Sequence, residues 1–320
     1  MKTQTHPTSH QASSLMATYA LLSLMALLWG LVFIAIKWGG QAMPLPVYNA
    51  DRFILATILM AAACKISGRW QTVHLREAIE LTALGLVGHG LTQMLFASGV
   101  MRTSASSASL IWGGAPLLVA SLSALFGVEK LTPRQWLGAF IAFAGVGAVV
   151  MGGGKGFVGQ SVTGDGLVVC AMISMAIYAV WSRSVIAKLD VWFVTTWMMA
   201  TGSLVMLVWS MPHQTIKLYR DMNLTGWGMI GYGGLFSLLL PNLIFLKGIQ
   251  EVGRSRASLF VNAVPLVGCV TGWLFMGETM GPLQITGGLV IGAGIALSQW
   301  RATEVCSPSQ QSDASCETFS

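Results

Sequence analysis

The sequence predicts an all-α polytopic membrane protein of ten transmembrane helices, arranged as two inverted five-helix repeats. Three observations predict it. Of 320 residues, 54% are hydrophobic and only 9% charged, against about 25% charged in soluble domains. The apolar residues gather into segments of the length that crosses a hydrocarbon layer of about 30 Å as a helix. And one stretch occurs twice: ASLIWGGAPLLVASLSALFGVEKLTP starts at Ala108, and ASLFVNAVPLVGCVTGWLFMGETMGP starts 149 residues later at Ala257.

The segments run Leu15–Ile36, Val47–Cys64, Ala78–Gly99, Ser104–Val128 and Pro133–Met151, then Asp165–Val185, Val191–Met211, Thr225–Leu246, Ser255–Gly277 and Pro282–Trp300. Breakers divide them. AMPLP precedes the second, MGGGKG follows the fifth and SMPHQ follows the seventh. Pro133 and Pro282 suit a first helical turn, where a missing N–H costs nothing. Residues 1–14 and 301–320 are polar and read as disordered cytoplasmic arms. No leader-peptide pattern precedes the first segment, so it is expected to stay as a membrane helix. Of the five cysteines, Cys64, Cys170 and Cys269 sit in apolar runs and Cys306 and Cys316 in the tail. An odd count without CxxC predicts neither a disulfide framework nor a zinc site.

The 149-residue offset pairs Gly85 with Gly234, Pro116 with Pro265, Glu129 with Glu278, Pro133 with Pro282, Gly138 with Gly287 and Gly145 with Gly294, with no gap. Each unit, 15–151 and 165–300, holds five segments. Five is odd, so the second unit enters the membrane from the opposite side. Such inverted repeats are a device of secondary transporters, with the binding site near the midplane where the halves meet. The charges set the orientation. With the N-terminus in the cytoplasm, the inner side holds Lys2, Lys65, Arg69, Arg76, Lys130, Arg134, Arg183, Lys188, Lys247, Arg254, Arg256 and Arg301. The outer side holds only Lys37, Arg102, Lys155, Lys217 and Arg220. The net charge of +6 is scattered between apolar runs, which excludes a nucleic-acid stripe.

Two long stretches carry a family resemblance. FASGVMRTSASSASLIWGGAPLLVASLSALFGVEKLTPRQWLGAFIAFAGVGAVV, and again LKGIQEVGRSRASLFVNAVPLVGCVTGWLFMGETMGPLQITGGLVIGAGIAL, resemble the signature of an EamA-type carrier of the drug/metabolite transporter superfamily. Trp29–Gly30 with Phe33, and Asp51–Phe53, are similar to the same pattern. The resemblance covers about residues 15–300. It implies ten helices, cytoplasmic termini, a bacterial inner membrane and a small organic solute such as an amino acid, moved without bond chemistry or cofactor. The rivals are an intramembrane enzyme acting on a lipid, for which HExxH or a nucleophile–base pair is missing, and a non-transporting membrane scaffold.

Polar and aromatic side chains deep in the segments are the candidates for substrate contact. His89 falls at the centre of the third segment and Gln93 one turn on, on the same face. An intramembrane ionisable group faces a cavity or a partner, and imidazole titrates near neutral pH, so His89 is also a candidate for proton coupling. The alternative is a neutral histidine bonded to a neighbouring helix. Asn242 and Asn262 can donate and accept at once; for Asn242, satisfying backbone freed by Pro241 is the leading alternative. Trp29, Phe33, Trp112, Tyr178 and Trp181 could line an aromatic cavity or simply pack helices. Asp51–Arg52 is read as an ion pair or headgroup anchor at the outer edge of the second segment, with an outer gate as the minority reading. Glu129 and Glu278 lie on opposite membrane faces and cannot act together as an acid–base pair. Each is expected to meet the N-terminal dipole of the proline-started helix that follows. Pro116 and Pro265 are taken as structural. Gly288–Gly292 forms a GxxxG face for close packing in the bundle or a homodimer seam.

Overall fold

The computed structural model describes residues 9–128, 130–152, 162–182 and 189–299; Glu129, residues 1–8 and the 301–320 tail lie outside them. Among the described residues there is helix and no strand. Among these residues nine helices are long and apolar enough to cross a membrane. They are α1 (Leu15–Ala42), α2 (Leu45–Ile66), α3 (Leu75–Arg102), α4 (Ala105–Leu125), α5 (Pro133–Gly152), α6 (Val162–Trp181), α7 (Val191–His213), α8 (Leu224–Val252) and α9 (Arg256–Met276). A tenth helix, α10 (Pro282–Gln299, 18 residues), follows but is not among the nine. Its glycines and the two glutamines Gln284 and Gln299 dilute its apolar character. Among the described residues the expected ten helices are thus all present, nine of them meeting the length and hydropathy of a span and α10 packed beside them. A short helix, Ile216–Asp221, joins α7 to α8.

Helix α1 departs from expectation at both ends. It runs back to Ser9, into the polar stretch expected as an arm, and on to Ala42 past a break at Leu31. Extending an existing helix fixes one residue per new hydrogen bond, whereas nucleation is the costly step, so short polar residues at its start can join it. The break sits beside Gly30, where a Cβ would lie 2.3 Å from Val267.

The two halves repeat in detail. Helices α3 and α8 begin at Leu75 and Leu224, and α5 and α10 at Pro133 and Pro282. After their proline kinks, α4 resumes at Ala115 and α9 at Val264. All three pairs keep the 149-residue offset. Both α3 and α8 loosen into a π-helix, at Leu86–Leu91 and Gly233–Leu239. Single-turn π segments of this kind are frequent at functional sites.

The contacts between halves show the inversion. Helices α5 and α10 form the most extensive pair in the bundle. A Cβ on Gly138 would lie 2.6 Å from the Gly294 carbonyl oxygen, and one on Gly145 would lie 2.7 Å from that of Gly287. Since Gly138 corresponds to Gly287 and Gly145 to Gly294, each glycine meets the counterpart of the other. Only a two-fold axis between the helices produces that reciprocity, and with five helices per half the axis lies in the plane of the membrane. A second pair obeys the same rule: Gly85 meets Thr201, and Gly234 meets Arg52 and Leu55. Thr201 is the counterpart of Arg52.

The chain after α9 turns at Gly277, which has φ +62°, and brings the buried Glu278 back onto α4. Glu278 accepts from the backbone N–H of Ala105 at 2.6 Å, the N–H of Ser106 at 2.9 Å and Ser106 Oγ at 2.7 Å. The carboxylate thus answers the orphan donors that every helix start leaves. The helix it serves is α4, not the α10 that follows it in sequence, because the left-handed turn reverses the chain before Pro282.

Candidate substrate site

Helix α3 is the spine of the site. His89, Gln93 and Phe96 follow one another along it, and each meets a different neighbour. His89 stands in the π segment with its ring edge-on to Tyr178, centroids 6.0 Å apart. Its Cβ faces Gly202 of α7, where a Cβ would come within 2.6 Å. Its Nδ1 is buried and has no hydrogen-bond partner. Tyr178 in turn lies over Gly88 and donates to Met198 Sδ at 3.3 Å. The glycines around His89 thus admit the close approach of α6 and α7.

One turn on, Gln93 Oε1 accepts from Arg52 Nη2 at a long 3.4 Å. Arg52 is fully shielded from solvent. Its Nε donates to Asn49 Oδ1 at 2.9 Å. The guanidinium carbon lies 5.3 Å from the centre of the Tyr48 ring and 5.6 Å from that of Phe53. Asn49 and Tyr48 precede Arg52 by three and four residues, so helix geometry stacks all three on one face. Nη1 has no partner, and among the described residues no carboxylate pairs with Arg52. Asp51 points elsewhere and accepts from Tyr219 Oη at 3.2 Å. Burial, then the Asp51 carboxylate, pushes the Tyr219 phenol up to about 12. Both the expected ion pair and the headgroup anchor are thereby corrected. Helix α2 starts at Leu45, two residues before the predicted edge, which sets Arg52 about 10 Å along it and under the π segment of α8.

Phe96 continues the spine into an aromatic cluster. Its ring stands T-shaped to Phe33 at 5.5 Å and tilted to Trp112 at 4.6 Å. Trp29 lies tilted on Phe245 at 5.5 Å. The prolines bend α4 and α9 toward each other: the Pro265 ring fills the space over Gly113, and Ser109 Oγ donates to the Pro265 carbonyl at 3.3 Å. Trp112 is thereby set at the kink of α4.

Three predicted residues stand apart from this group. Trp181 is 45% exposed at the end of α6. Asn242 donates to the Leu238 carbonyl of its own helix at 2.5 Å, which satisfies backbone beside Pro241. Asn262 makes a long 3.4 Å bond to Gln299, near the end of the bundle where α1 begins. At the opposite end a cleft of about 520 Å³ opens between the halves, lined by Trp38, Gln41 and Ala42 of α1 and by Asn223, Thr225 and Met229 from the start of α8. Tyr48 packs on Gly39, within the stretch of α1 that lines this cleft.

Arg52 with Tyr48 and Asn49 is what sequence reasoning missed. The usable signal was the run YNADR itself, polar and charged at the start of an apolar span, because an ionisable group at depth is expensive unless it is used.

Comparison with known proteins fits this architecture. A family profile described as the EamA-like transporter family matches residues 16–151 and again 162–300. An "Uncharacterized transporter" of Archaeoglobus fulgidus is 28% identical over 282 residues, covering 88% of this chain and 96% of the relative. The "Uncharacterized inner membrane transporter YedA" of Escherichia coli K12 is 24% identical, covering 84% and 86%. A "Probable terminal-alkyne amino-acid exporter" of Streptantibioticus cattleyicolor is 24% identical, covering 88% and 92%. A solved crystal structure superposes with a TM-score of 0.62 at 19% identity, covering 91% of this chain and 99% of the other, which establishes likeness of fold.

Proposed function

We propose, from the premise that the chain belongs to the EamA-like transporter family, that it exports amino acids or related small organic solutes by alternating access. At the coarser level it is a multi-pass membrane transporter. The finer reading puts it in the bacterial inner membrane with both termini cytoplasmic, as the Lys and Arg distribution favours. Units 15–151 and 165–300 are the moving halves, with 1–14 and 301–320 outside both.

The observation that carries this reading is the reciprocal seam. Two similar halves that meet through Gly138–Gly294 and Gly145–Gly287 can exchange conformations about their shared axis. Each exchange moves access to the α3 spine from one side to the other. The aromatic cluster of Phe33, Trp112 and Trp29 suits an apolar moiety, and Gln93 a polar one. His89 is the candidate for proton coupling, since its Nδ1 is buried without a partner in a π segment. The amino-acid assignment draws on the relative described as an amino-acid exporter. Turnover of a bond finds no support, since the relatives named above are all described as transporters.

The test is flux in proteoliposomes of purified protein. A panel of labelled amino acids is followed with and without a pH gradient, for wild type and His89→Ala. Saturable flux that follows the gradient and loses that response in the variant supports both parts. Saturable flux indifferent to both keeps the carrier and returns His89 to packing. No flux of any panel solute sinks the amino-acid reading.

A further inference from the structure

Arg52 is a fully buried cation within the membrane-spanning bundle. A guanidinium taken out of water costs several kcal/mol after relaxation, unless an anion and good hydrogen bonds offset it. Here Nε is satisfied by Asn49 and Nη2 weakly by Gln93, while Nη1 is buried with only the Tyr48 phenol near it, outside good hydrogen-bond geometry. Two neutral groups share that condition nearby. Tyr48 Oη is buried without a partner, and so is Ser237 Oγ in the π segment of α8. Arg52 and Tyr48 both meet the other half at Gly233, where a Cβ would lie 2.6 Å from Tyr48 Oη and 3.1 Å from Arg52 Cδ. Buried polar groups left unpaired are rare, and each calls for a reason. A charge kept at this depth and left unpaired is better explained by use than by packing, since an apolar chain of similar length fills the space more cheaply.

We propose that Arg52 is an anion anchor: its Nη1, beside Tyr48 Oη, binds the carboxylate of the transported solute. The inference deepens the carrier reading and rests on it for the word "transported". Guanidinium N–H donors match a carboxylate in plane and give the stronger class of hydrogen bond. Asn49 and the Tyr48 and Phe53 rings hold the guanidinium in place. The site spans the seam between halves, so an anion bound there touches both and senses their relative position. The cleft lined by Trp38 and Gln41 lies on the other side of the Tyr48–Gly39 contact, which closes it off from Arg52. The counterpart of Arg52 in the second half is Thr201, bonded to its own helix at the Met198 carbonyl, so the charge belongs to one half only.

The experiment compares acids with their uncharged amides. Purified full-length protein is given L-leucine, L-threonine or L-phenylalanine, or the amide of each. Thermal unfolding midpoint and proteoliposome counterflow are both read. The expected result is at least one acid that raises the midpoint and exchanges saturably, with its amide at least tenfold weaker. Arg52→Gln is expected to erase that preference and Arg52→Lys to keep part of it. Arg52→Met is expected to unfold no earlier than wild type while losing the response to the acid. Equal responses to acid and amide, or a preference that survives Arg52→Gln, overturn the anchor and leave the carrier standing. An early-unfolding Arg52→Met overturns it in favour of a structural arginine. An acid-specific midpoint rise without exchange keeps the anchor and sinks the carrier. No response in either readout counts against both.

Discussion

Replacing Glu278 by alanine removes the partner of three donors at the start of α4. Two are backbone N–H groups, of Ala105 and Ser106, and the third is Ser106 Oγ. Ala105 and Ser106 are 0% and 2% exposed, so water cannot readily take the place of the carboxylate. Hydrogen bonds to a charged group contribute about 1.5–3 kcal/mol each. The two backbone bonds alone set a loss of about 3–6 kcal/mol by that measure, and the lost charge at the helix N-terminus adds about 0.3–1 kcal/mol. Ser106→Ala removes only the hydroxyl bond and should cost about 1.5–3 kcal/mol. Glu278→Gln keeps an acceptor oxygen but turns an NH₂ toward a second donor, so it should fall between the two. The assay is denaturant unfolding of purified protein in one detergent, for wild type and all three variants. An alanine variant within about 1 kcal/mol of wild type, or no more harmful than Ser106→Ala, refutes the reasoning, because the two buried N–H groups must then have found other partners.

Three further outcomes follow from the geometry. Gly145→Leu should destabilise severely or prevent folding, since its Cβ would meet the Gly287 backbone at 2.7 Å, whereas Gly147→Ala, with nothing within 4 Å, should be neutral or gain about 0.5–1 kcal/mol of helix propensity; paired thermal midpoints check both. The Tyr219 phenol is held protonated in the folded protein up to about 12, so its contribution to stability is complete below about pH 10 and fades as pH rises toward 12. The midpoint of wild type should therefore fall more steeply over that alkaline window than that of Tyr219→Phe, and parallel curves would contradict the assignment. Trp181→Ala, at an exposed helix end, should leave solute flux unchanged, while Trp112→Ala, packed on Phe96 at 4.6 Å, should reduce it; the two rates in one proteoliposome series decide the matter.

The fold was legible because its rules act along one chain. Hydrophobic length predicted the helices, and the offset between Ala108 and Ala257 predicted the inverted halves. Where the reading slipped, a local feature decided. Leu31 breaks α1 beside Gly30 without ending it. Side-chain meetings were harder to see. Depth along a helix follows from counting residues, so His89, Gln93 and Phe33 could be placed far from the helix ends. Rotation about the helix axis does not, so the turn of Asn242 back onto Leu238 was only one of two readings. Arg52 was misjudged for the same reason: two residues of error in the start of α2 shift it only about 3 Å, and it is the inward rotation of α2 that sets it against Gly233 and Gly234. Glu278 was assigned to the helix next in sequence because a reversal at Gly277 cannot be told from a glycine that merely loosens a loop.

The reciprocal glycine seam has a consequence for how such a chain can arise. Each surface in it is complementary to its own copy. One five-helix unit, inserted in both orientations, already contains every group needed to build the α5–α10 contact with a second molecule of itself. Covalent fusion adds no new surface there. It guarantees one copy of each orientation and frees the two copies to differ. The backbone seam leaves no room for that freedom, since any side chain at Gly138 or Gly145 strikes a carbonyl of the opposite half. Divergence is left to the interior, where the offset matches Arg52 with Thr201 and His89 with Leu238. A twin scaffold thus comes to hold an unlike pair of walls, and a solute passing between them has a preferred way round.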